Sequence, residues 1–256
     1  MAHPLQLLFI LFITQLSAIN LPGKELPFPE GERLEYQMRW NFLRVGTAIL
    51  LRNTNTTLEG KPCLHFTMTA RTYGIADKIF KVRDKIDSYT DLKLQNTLHY
   101  KQTQREGKTE RDIVVRFDRE NQIAHYTNYG KPLKGRDPLK IRDGILDPLS
   151  IMYALRAGKP EVGDLVKLPA TDGKKIIEVE VGVLKREEIK VPAGKFPSIV
   201  LAPATKDLRG VFEKTKNSKI EIWVSDDGHY YPLRVKSKVI VGSFIGELDS
   251  INSSEN

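Results

Sequence analysis

The fold class of this chain is decided by the stretch Gly31-Glu32-Arg33-Leu34-Glu35-Tyr36-Gln37-Met38-Arg39-Trp40. From position 33 onward, polar or charged side chains alternate with the apolar set Leu34, Tyr36, Met38 and Trp40. Alternation with a period of two is typical of a β-strand that has one face in water and the other in a core. The stretch therefore predicts a half-buried strand.

The same alternation recurs along most of the chain. Turn residues such as Glu-Gly, Asp-Gly and Ala-Gly stand between the alternating runs. Many short strands on short connections predict a mainly β fold, consisting of a single antiparallel, strongly curved sheet or half-open barrel. The further strands are expected at 45–52, 64–70, 85–90, 97–104, 111–118, 122–127, 165–169, 175–181, 184–191, 198–203, 211–214, 219–225, 231–239 and 243–249.

Two segments have helical rather than strand spacing. Residues 74–80 place Ile75 four positions before Ile79, which predicts a short helix. Residues 147–157 form the stronger case, because Asp147 suits the N-terminal cap and Gly158, just beyond, suits the exit. We expect this second helix to pack on the sheet.

The first 23 residues contain no Lys, Arg, Asp or Glu. The apolar run within them, at 5–13, is shorter than the roughly 20 residues that a membrane-spanning helix needs. The pattern predicts a secretory signal peptide at 1–20, followed by a single β-rich domain at 21–256. The alternative is an N-terminal membrane anchor that stays attached.

Composition narrows the classes of partner. The 256 residues are 40% hydrophobic and 28% charged, with a net charge of +8. Because basic and acidic residues are interleaved, as in Lys185-Arg186-Glu187-Glu188, we interpret the charge as solvated strand faces and expect no nucleic-acid partner. Cys63 is the only cysteine, so it has no partner for an intrachain disulfide, and we expect it in the core.

Acidic side chains and an imidazole stand together at Asp226-Asp227-Gly228-His229. Such groups could form an acid–base or metal site, but Asp-Gly between two alternating runs is also a strong hairpin signal. The hairpin explains every residue of the segment, so we predict a turn. We find no catalytic or metal-binding motif, and therefore expect no catalytic residues, metal or cofactor.

The connection at 128–145 is long and basic. It carries Lys131, Lys134, Arg136, Lys140 and Arg142. A solvated loop is the simpler interpretation, and the alternative is a segment that binds anions or contacts a membrane surface between Lys131 and Arg142.

A set of short motifs follows one order along the chain: Gly31-Glu32-Arg33-Leu34-Glu35-Tyr36, Gly46, Asp147-Pro148-Leu149-Ser150, Arg156, Val191-Pro192-Ala193-Gly194-Lys195-Phe196, Ile222-Trp223-Val224-Ser225-Asp226 and Pro232-Leu233-Arg234. In this order the chain resembles the exported bacterial family of the domain of unknown function 3108, over about residues 26–248. The resemblance implies a secreted or periplasmic β-rich domain with no assigned activity.

Three functions stay open. The first is an exported envelope protein, periplasmic or associated with the outer envelope, that holds a lipid or other apolar ligand inside the curved sheet. The candidate ligand contacts are Tyr36, Met38, Trp40, Phe66 and Trp223, although the same side chains could simply fill a core. The second is a structural or assembly protein that binds an envelope protein through its surface. The third, a hydrolase whose residues meet only in three dimensions, is the least favoured.

Overall fold

A computed structural model describes residues 26–130, 136–204, 220–238 and 242–252. The signal peptide predicted at 1–20 and the strand predicted at 211–214 lie outside these ranges. The elements are β1 (Arg33–Trp40), β2 (Leu43–Arg52), β3 (Thr56–Leu58), β4 (Lys61–Thr72), α1 (Gly74–Ile79), β5 (Arg83–Thr90), β6 (Thr97–Glu106), β7 (Thr109–Asp118), β8 (Ile123–Asn128), β9 (Leu139–Lys140), α2 (Ser150–Ala157), β10 (Leu165–Thr171), β11 (Ile176–Val191), β12 (Gly194–Pro203), β13 (Ile220–Ser225), β14 (Pro232–Lys238) and β15 (Ser243–Asn252).

The strands form a single antiparallel sheet. Its order is β10-β11-β12-β13-β14-β15-β1-β2-β4-β5-β6-β7-β8-β9, and β3 pairs with β4 off this path. In the described residues, the outermost strands β9 and β10 do not pair with each other, so the sheet is not closed into a barrel. The predicted mainly β fold, with one packed helix and a short second helix, is confirmed.

The sheet curves strongly enough to bring its distant strands together. A Cβ atom added at Gly173, in the turn between β10 and β11, would lie 2.7 Å from Val115 on β7 and 3.2 Å from Tyr126 on β8. That turn therefore rests directly against strands from the opposite end of the sheet order.

The alternating stretch forms β1, as predicted. Leu34 and Tyr36 are buried, at 0% and 6% exposure, and Tyr36 pairs with Leu248 on β15 and Ala48 on β2. The strand ends where Asn41 takes a positive φ of 54° and turns the chain into β2. Trp40, at the end of the strand, is 38% exposed.

Asp147 fixes α2 inside the sheet. Its Oδ1 accepts hydrogen bonds from the backbone amides of Leu149 (2.8 Å) and Ser150 (3.1 Å). Its Oδ2 accepts from the hydroxyls of Ser88 (2.5 Å) on β5 and Thr97 (2.7 Å) on β6. The predicted capping role is confirmed. The helix starts at Ser150 rather than at Asp147, because the preceding residues form the capping turn.

The segment before α2 covers an edge of the sheet. Leu146 pairs in parallel with Ala170 on β10, and the Thr97 amide on β6 donates to the Ile145 carbonyl (3.0 Å). A covered edge is less available for pairing with another chain.

Strand β11 differs from its prediction. Residues 175–181 and 184–191 were expected to form two strands, but β11 runs without interruption for 16 residues. A register shift between Val183 and Lys185 against β12 explains the error, because a bulge interrupts the alternation without ending the strand.

The turn interpretation of Asp226-Asp227-Gly228-His229 is confirmed. Asp227 Oδ1 accepts hydrogen bonds from the Ser225 hydroxyl (2.6 Å) and from the His229 amide (3.0 Å). The connection is longer than a two-residue hairpin, because β13 ends at Ser225 and β14 begins only at Pro232, next to a register shift.

Candidate functional site

The predicted ligand contact Phe66 lies in the main core. It is 0% exposed and stacks on Tyr153 of α2, with ring centroids 3.9 Å apart and an interplanar angle of 22°. The edge of Phe28 approaches the same ring, with centroids 6.0 Å apart. Phe66 therefore packs against the aromatic side chains of Tyr153 and Phe28.

Tyr36 and Trp223 belong to a second buried cluster, against which Met38 packs. The Trp223 indole N–H donates to Glu187 Oε1 (2.7 Å), and the guanidinium of Arg234 lies 5.6 Å from the Trp223 ring centroid. The structure thus brings Tyr36, Met38 and Trp223 into one cluster, places Phe66 in another and leaves Trp40 at the surface.

A buried ion pair lies close to α2. Arg156 Nη1 and Nη2 donate to Glu32 Oε1 (2.6 Å) and Oε2 (2.8 Å), and both side chains are 1% exposed. Burial lowers the pKa of Arg156, but the hydrogen bonds and charge of Glu32 outweigh it and raise that pKa. The rings of Phe28, Tyr153 and Tyr231 surround the guanidinium at 4.9–5.7 Å.

Two hydroxyl groups are buried nearby. Among the described residues, Tyr36 Oη and Tyr153 Oη have no hydrogen-bond partner. Burial raises the pKa of both hydroxyls, so both are neutral at ordinary pH. They are two of the five buried side-chain polar atoms without a partner in the described residues, and a bound molecule could satisfy them.

Large apolar side chains collect at the end of the sheet where β1 finishes. They come from the β1–β2 connection, from the segment around α1 and from the start of β15, and each is at least 38% exposed. We call this set the apolar rim: Trp40, Phe42, Leu43, Tyr73, Ile75, Ile79, Phe80 and Phe244.

Hydrogen bonds show that the three segments of the rim are neighbours. The Asn41 amide donates to the Ser243 carbonyl (2.8 Å), and Trp40 pairs with Phe244. The Tyr73 amide donates to the Val45 carbonyl (3.1 Å), which ties the start of α1 to β2. The three segments that carry the rim are thus neighbours at this end of the sheet.

Helix α1 presents its apolar side to solvent. On its other side, Asp77 accepts hydrogen bonds from Arg83 (2.7 and 3.0 Å) and from the Thr72 hydroxyl (2.6 Å). The bonds from Arg83, followed by that from Thr72, lower the pKa of Asp77 to about 2. Ile75 and Ile79 are 77% and 80% exposed, so the helix is attached through polar groups and not through its isoleucines.

Basic residues stand directly next to several rim residues in the sequence. Arg44 follows Leu43, Lys78 precedes Ile79 and Lys81 follows Phe80, and all three basic residues are exposed. Apolar side chains mixed with exposed cations are typical of surfaces that meet anionic lipid.

Two surface cavities lie beside the rim. One, of about 380 Å³, includes Lys108, Arg136 and Lys174 in its lining. The other, of about 260 Å³, includes Arg71 and Arg83. Of the basic connection predicted to bind anions or membrane, Arg136 lines the larger cavity, while Lys131 and Lys134 lie outside the described residues.

A histidine beside a carboxylate occurs on β4 and β5. His65 Nε2 lies 3.0 Å from Asp87 Oδ1, which also accepts from the Thr67 hydroxyl (2.8 Å), and Lys85 Nζ lies 2.9 Å from Asp87 Oδ2. Lys85 lines the smaller cavity, whereas His65, Thr67 and Asp87 are part of the lining of neither cavity.

Within the described ranges, no group of three or more His, Cys, Asp or Glu side chains is placed to hold a metal ion. None of the helices in that part of the chain is long and apolar enough to cross a membrane.

Sequence reasoning did not identify the rim. Phe42 stands in the turn between β1 and β2, and Leu43 begins β2 directly after it. Polar residues are usual in such a turn, so these two apolar residues were the available signal. The spacing of Ile75 and Ile79 predicted a helix, but the spacing alone does not tell whether its apolar side faces the core or solvent.

Comparison with known proteins shows that a solved structure has a similar fold. A β-barrel-like protein of the domain of unknown function DUF1849 from Brucella abortus aligns with a TM-score of 0.56 and 11% identity, over 88% of this chain and 98% of that one. A candidate lipoprotein from Parabacteroides distasonis (TM-score 0.37, 13% identity, 89% and 98%) and a candidate exported protein from Bacteroides fragilis (0.34, 11%, 89% and 98%) are too distant to support an argument.

No curated protein matches the chain. The family described as "Protein of unknown function (DUF3108)" matches residues 35–249. This range covers most of the chain and confirms the resemblance that the ordered motifs indicated. The chain belongs to the DUF3108 family.

Proposed function

We propose that this protein is an exported protein of the cell envelope that associates with the surface of an anionic membrane through the apolar rim. The observation that carries the proposal is the grouping of eight exposed, large apolar side chains in three neighbouring segments at one end of the sheet. Export is supported by the apolar, uncharged N-terminal segment.

Exposure of the rim side chains to water is unfavourable in free energy. Single exposed apolar residues are normal, but contiguous apolar patches usually mark interaction sites. Full burial of one side chain such as Phe42 or Ile79 is worth about 1.5–3 kcal/mol, so several inserted together would offset the cost of association. The polar attachment of α1 through Asp77 keeps Ile75 and Ile79 directed away from the sheet.

The charge around the rim favours a lipid surface over an apolar protein groove. Arg44, Lys78 and Lys81 lie between the rim residues in sequence and are exposed. Near an anionic membrane each basic side chain contributes about 1 kcal/mol.

A lipid or other apolar ligand held inside the sheet is the second candidate function. The unpaired hydroxyls of Tyr36 and Tyr153 favour it, because a ligand carrying a polar group could satisfy them. The stacking of Phe66 on Tyr153 opposes it, because it fills space that the ligand would need. This candidate stays a prediction.

The test is cosedimentation with phosphatidylcholine vesicles that contain or lack phosphatidylglycerol. The protein is purified from an exporting host, so that every variant carries the same N-terminus. In the rim variant, Phe42, Leu43, Ile75 and Ile79 are all replaced by Ser. The matched control replaces four exposed apolar residues outside the rim by Ser: Leu92, Val162, Leu165 and Leu184.

We expect the wild-type protein and the control to bind the anionic vesicles, and the rim variant to bind them at least about tenfold more weakly. Thermal melting checks that the variants remain folded. Equal binding by the rim variant would refute the proposal. The proposal would also be refuted if the protein did not bind vesicles and instead formed a dimer through the rim. Sedimentation velocity of the wild-type protein and the rim variant would show such a dimer.

A further inference from the structure

The larger surface cavity, of about 380 Å³, is lined by several basic side chains. It lies at the same end of the sheet as the rim, where the β6–β7 turn meets the turn between β10 and β11. Its lining includes the cations Lys108, Arg111, Arg136 and Lys174 and the anion Glu110.

The carboxylates do not balance these cations. Lys174 pairs with Asp172 at 3.4 Å, and Glu110 lies in the lining. Beyond the lining, Arg111 lies within electrostatic reach of Glu106. The four cations still outnumber these three carboxylates, so the cavity keeps an excess of positive charge. The arrangement is therefore suited to an anion.

The cations are positioned by packing. Gly173 sits so close to Val115 and Tyr126 that any side chain there would overlap them, and its positive φ of 86° suits glycine. This close fit holds Lys174 beside Tyr126, with Nζ 5.1 Å from the ring centroid. The guanidinium carbon of Arg136 lies 5.9 Å from the same ring. Lys174 and Arg136 thus approach one aromatic side chain from different segments.

We propose that this cavity binds the phosphate group of a phosphate monoester. A phosphate monoester carries about −1.5 to −2 charges at pH 7, opposite in sign to the excess charge of the cavity. The guanidinium groups of Arg111 and Arg136 suit two-point contacts with phosphate oxygens, and Lys108 and Lys174 supply point charges. The volume lies within the usual range for small-molecule sites and leaves room for the esterified group.

The ester could be soluble or could be the head group of a lipid. The lipid source rests on the proposed function, and the position of the cavity is compatible with it. The Phe80 ring of the rim lies against Gly107, so close that a Cβ there would be 2.8 Å from the ring, and Gly107 immediately precedes Lys108. A phosphate at the membrane surface would therefore lie near the cavity when the rim is inserted.

The experiment uses two probes on the exported full chain. Glycerol 3-phosphate, titrated by calorimetry, represents a soluble ester. Vesicles with phosphatidic acid, compared with vesicles of equal charge made with phosphatidylglycerol, represent a lipid monoester. The test variant is Arg136→Gln/Lys174→Gln. The control, Lys93→Gln/Lys101→Gln, removes the same charge at exposed positions outside the cavity.

If the ester is soluble, the wild-type protein binds glycerol 3-phosphate and the test variant binds at least about tenfold more weakly, while the control is unchanged. If it is a lipid, the wild-type protein prefers phosphatidic acid over phosphatidylglycerol, and only the test variant loses that preference. Absence of both results, or equal losses in the control, overturns the proposal.

The two proposals fail in different ways. Binding to phosphatidylglycerol vesicles with neither phosphate response would refute the cavity and leave the rim supported. Binding of glycerol 3-phosphate by a protein that ignores all vesicles would refute the rim and leave the cavity supported.

Discussion

Arg156 and Glu32 form a two-point ion pair inside the sheet, 124 positions apart in sequence and each 1% exposed. The pair joins α2 to the segment that leads into β1. Arg156 Nη2 also donates to the His229 carbonyl (3.1 Å), so the turn between β13 and β14 shares the same guanidinium. One buried cation thus links three distant segments of the chain.

We predict that Glu32→Gln lowers the free energy of unfolding by about 3–5 kcal/mol. The substitution leaves the Arg156 charge buried with no opposite charge, and breaking a buried pair on one side has a cost of that size. Urea denaturation followed by tryptophan fluorescence measures it. The matched control is Arg33→Gln in the exposed Arg33–Glu35 pair, where both side chains are 39% exposed and the loss should stay under about 1 kcal/mol.

The double substitution Glu32→Leu/Arg156→Met separates the cost of an unpaired charge from the value of the pair. Because both charges are removed together, we expect the double variant to be more stable than Glu32→Gln. A double variant less stable than the single one would contradict this explanation.

We predict that Phe66→Ala lowers the free energy of unfolding by about 3–5 kcal/mol, because it opens a cavity against Tyr153 and Phe28. Trp40→Ala, at a side chain that is 38% exposed, should have a clearly smaller effect. Denaturation curves of the two variants, recorded under one condition, make the comparison. Equal losses of unfolding free energy would show that Phe66 contributes no more to stability than the partly exposed Trp40.

We predict that Gly46→Ala is destabilising by about 1–3 kcal/mol. A methyl group on Gly46 of β2 would overlap the carbonyl oxygen of Arg71 on β4, so the paired strands would have to separate. Gly182→Ala on β11 is the control, since its nearest heavy atom lies 3.7 Å away. Melting temperatures compare the two, and a Gly46→Ala variant as stable as Gly182→Ala would contradict the close contact.

We predict that Asp87 makes stability depend on pH below about 4. Burial raises the pKa of Asp87, but hydrogen bonds from His65, Lys85 and Thr67 outweigh burial and hold that pKa well below its usual range. A lowered pKa in the folded state contributes stability above the unfolded value of about 3.9, and this is lost as pH falls toward the folded value.

The test compares the wild-type protein with Asp87→Asn by urea denaturation at pH 6, 4 and 3. The stability advantage of the wild-type protein should be largest at pH 6 and should shrink below pH 4. An advantage that is unchanged at pH 3 would show that Asp87 has no lowered pKa.

The local features of this fold could be predicted from sequence, and the long-range ones could not. Alternation identified β1, and the Asp147 cap located α2, because each signal lies within about ten residues. The pairing of Glu32 with Arg156 had no such signal. Glu32 directly precedes an alternating stretch whose other charges face water, and only the three-dimensional position of α2 shows that this carboxylate is buried.

The candidate site was harder to predict for the same reason. Tyr36 and Phe66 are buried, as their alternation indicated, while their role as ligand contacts stays a prediction. Trp40 follows the same alternation but emerges at the end of β1, because the core stops before the strand does. The rim and the cationic cavity each combine connections that are distant in sequence, so neither forms a motif.

The pairing of β1 with β15 near the middle of the sheet sets a condition on biosynthesis. During N- to C-terminal synthesis or translocation, β1 and β14 both lack one neighbouring strand until β15 has been made. A chain cut short before Ser243 would expose two long unpaired edges and invite aggregation. Completion of the sheet therefore depends on β15, which joins the half that begins with β1 to the half that ends with β14.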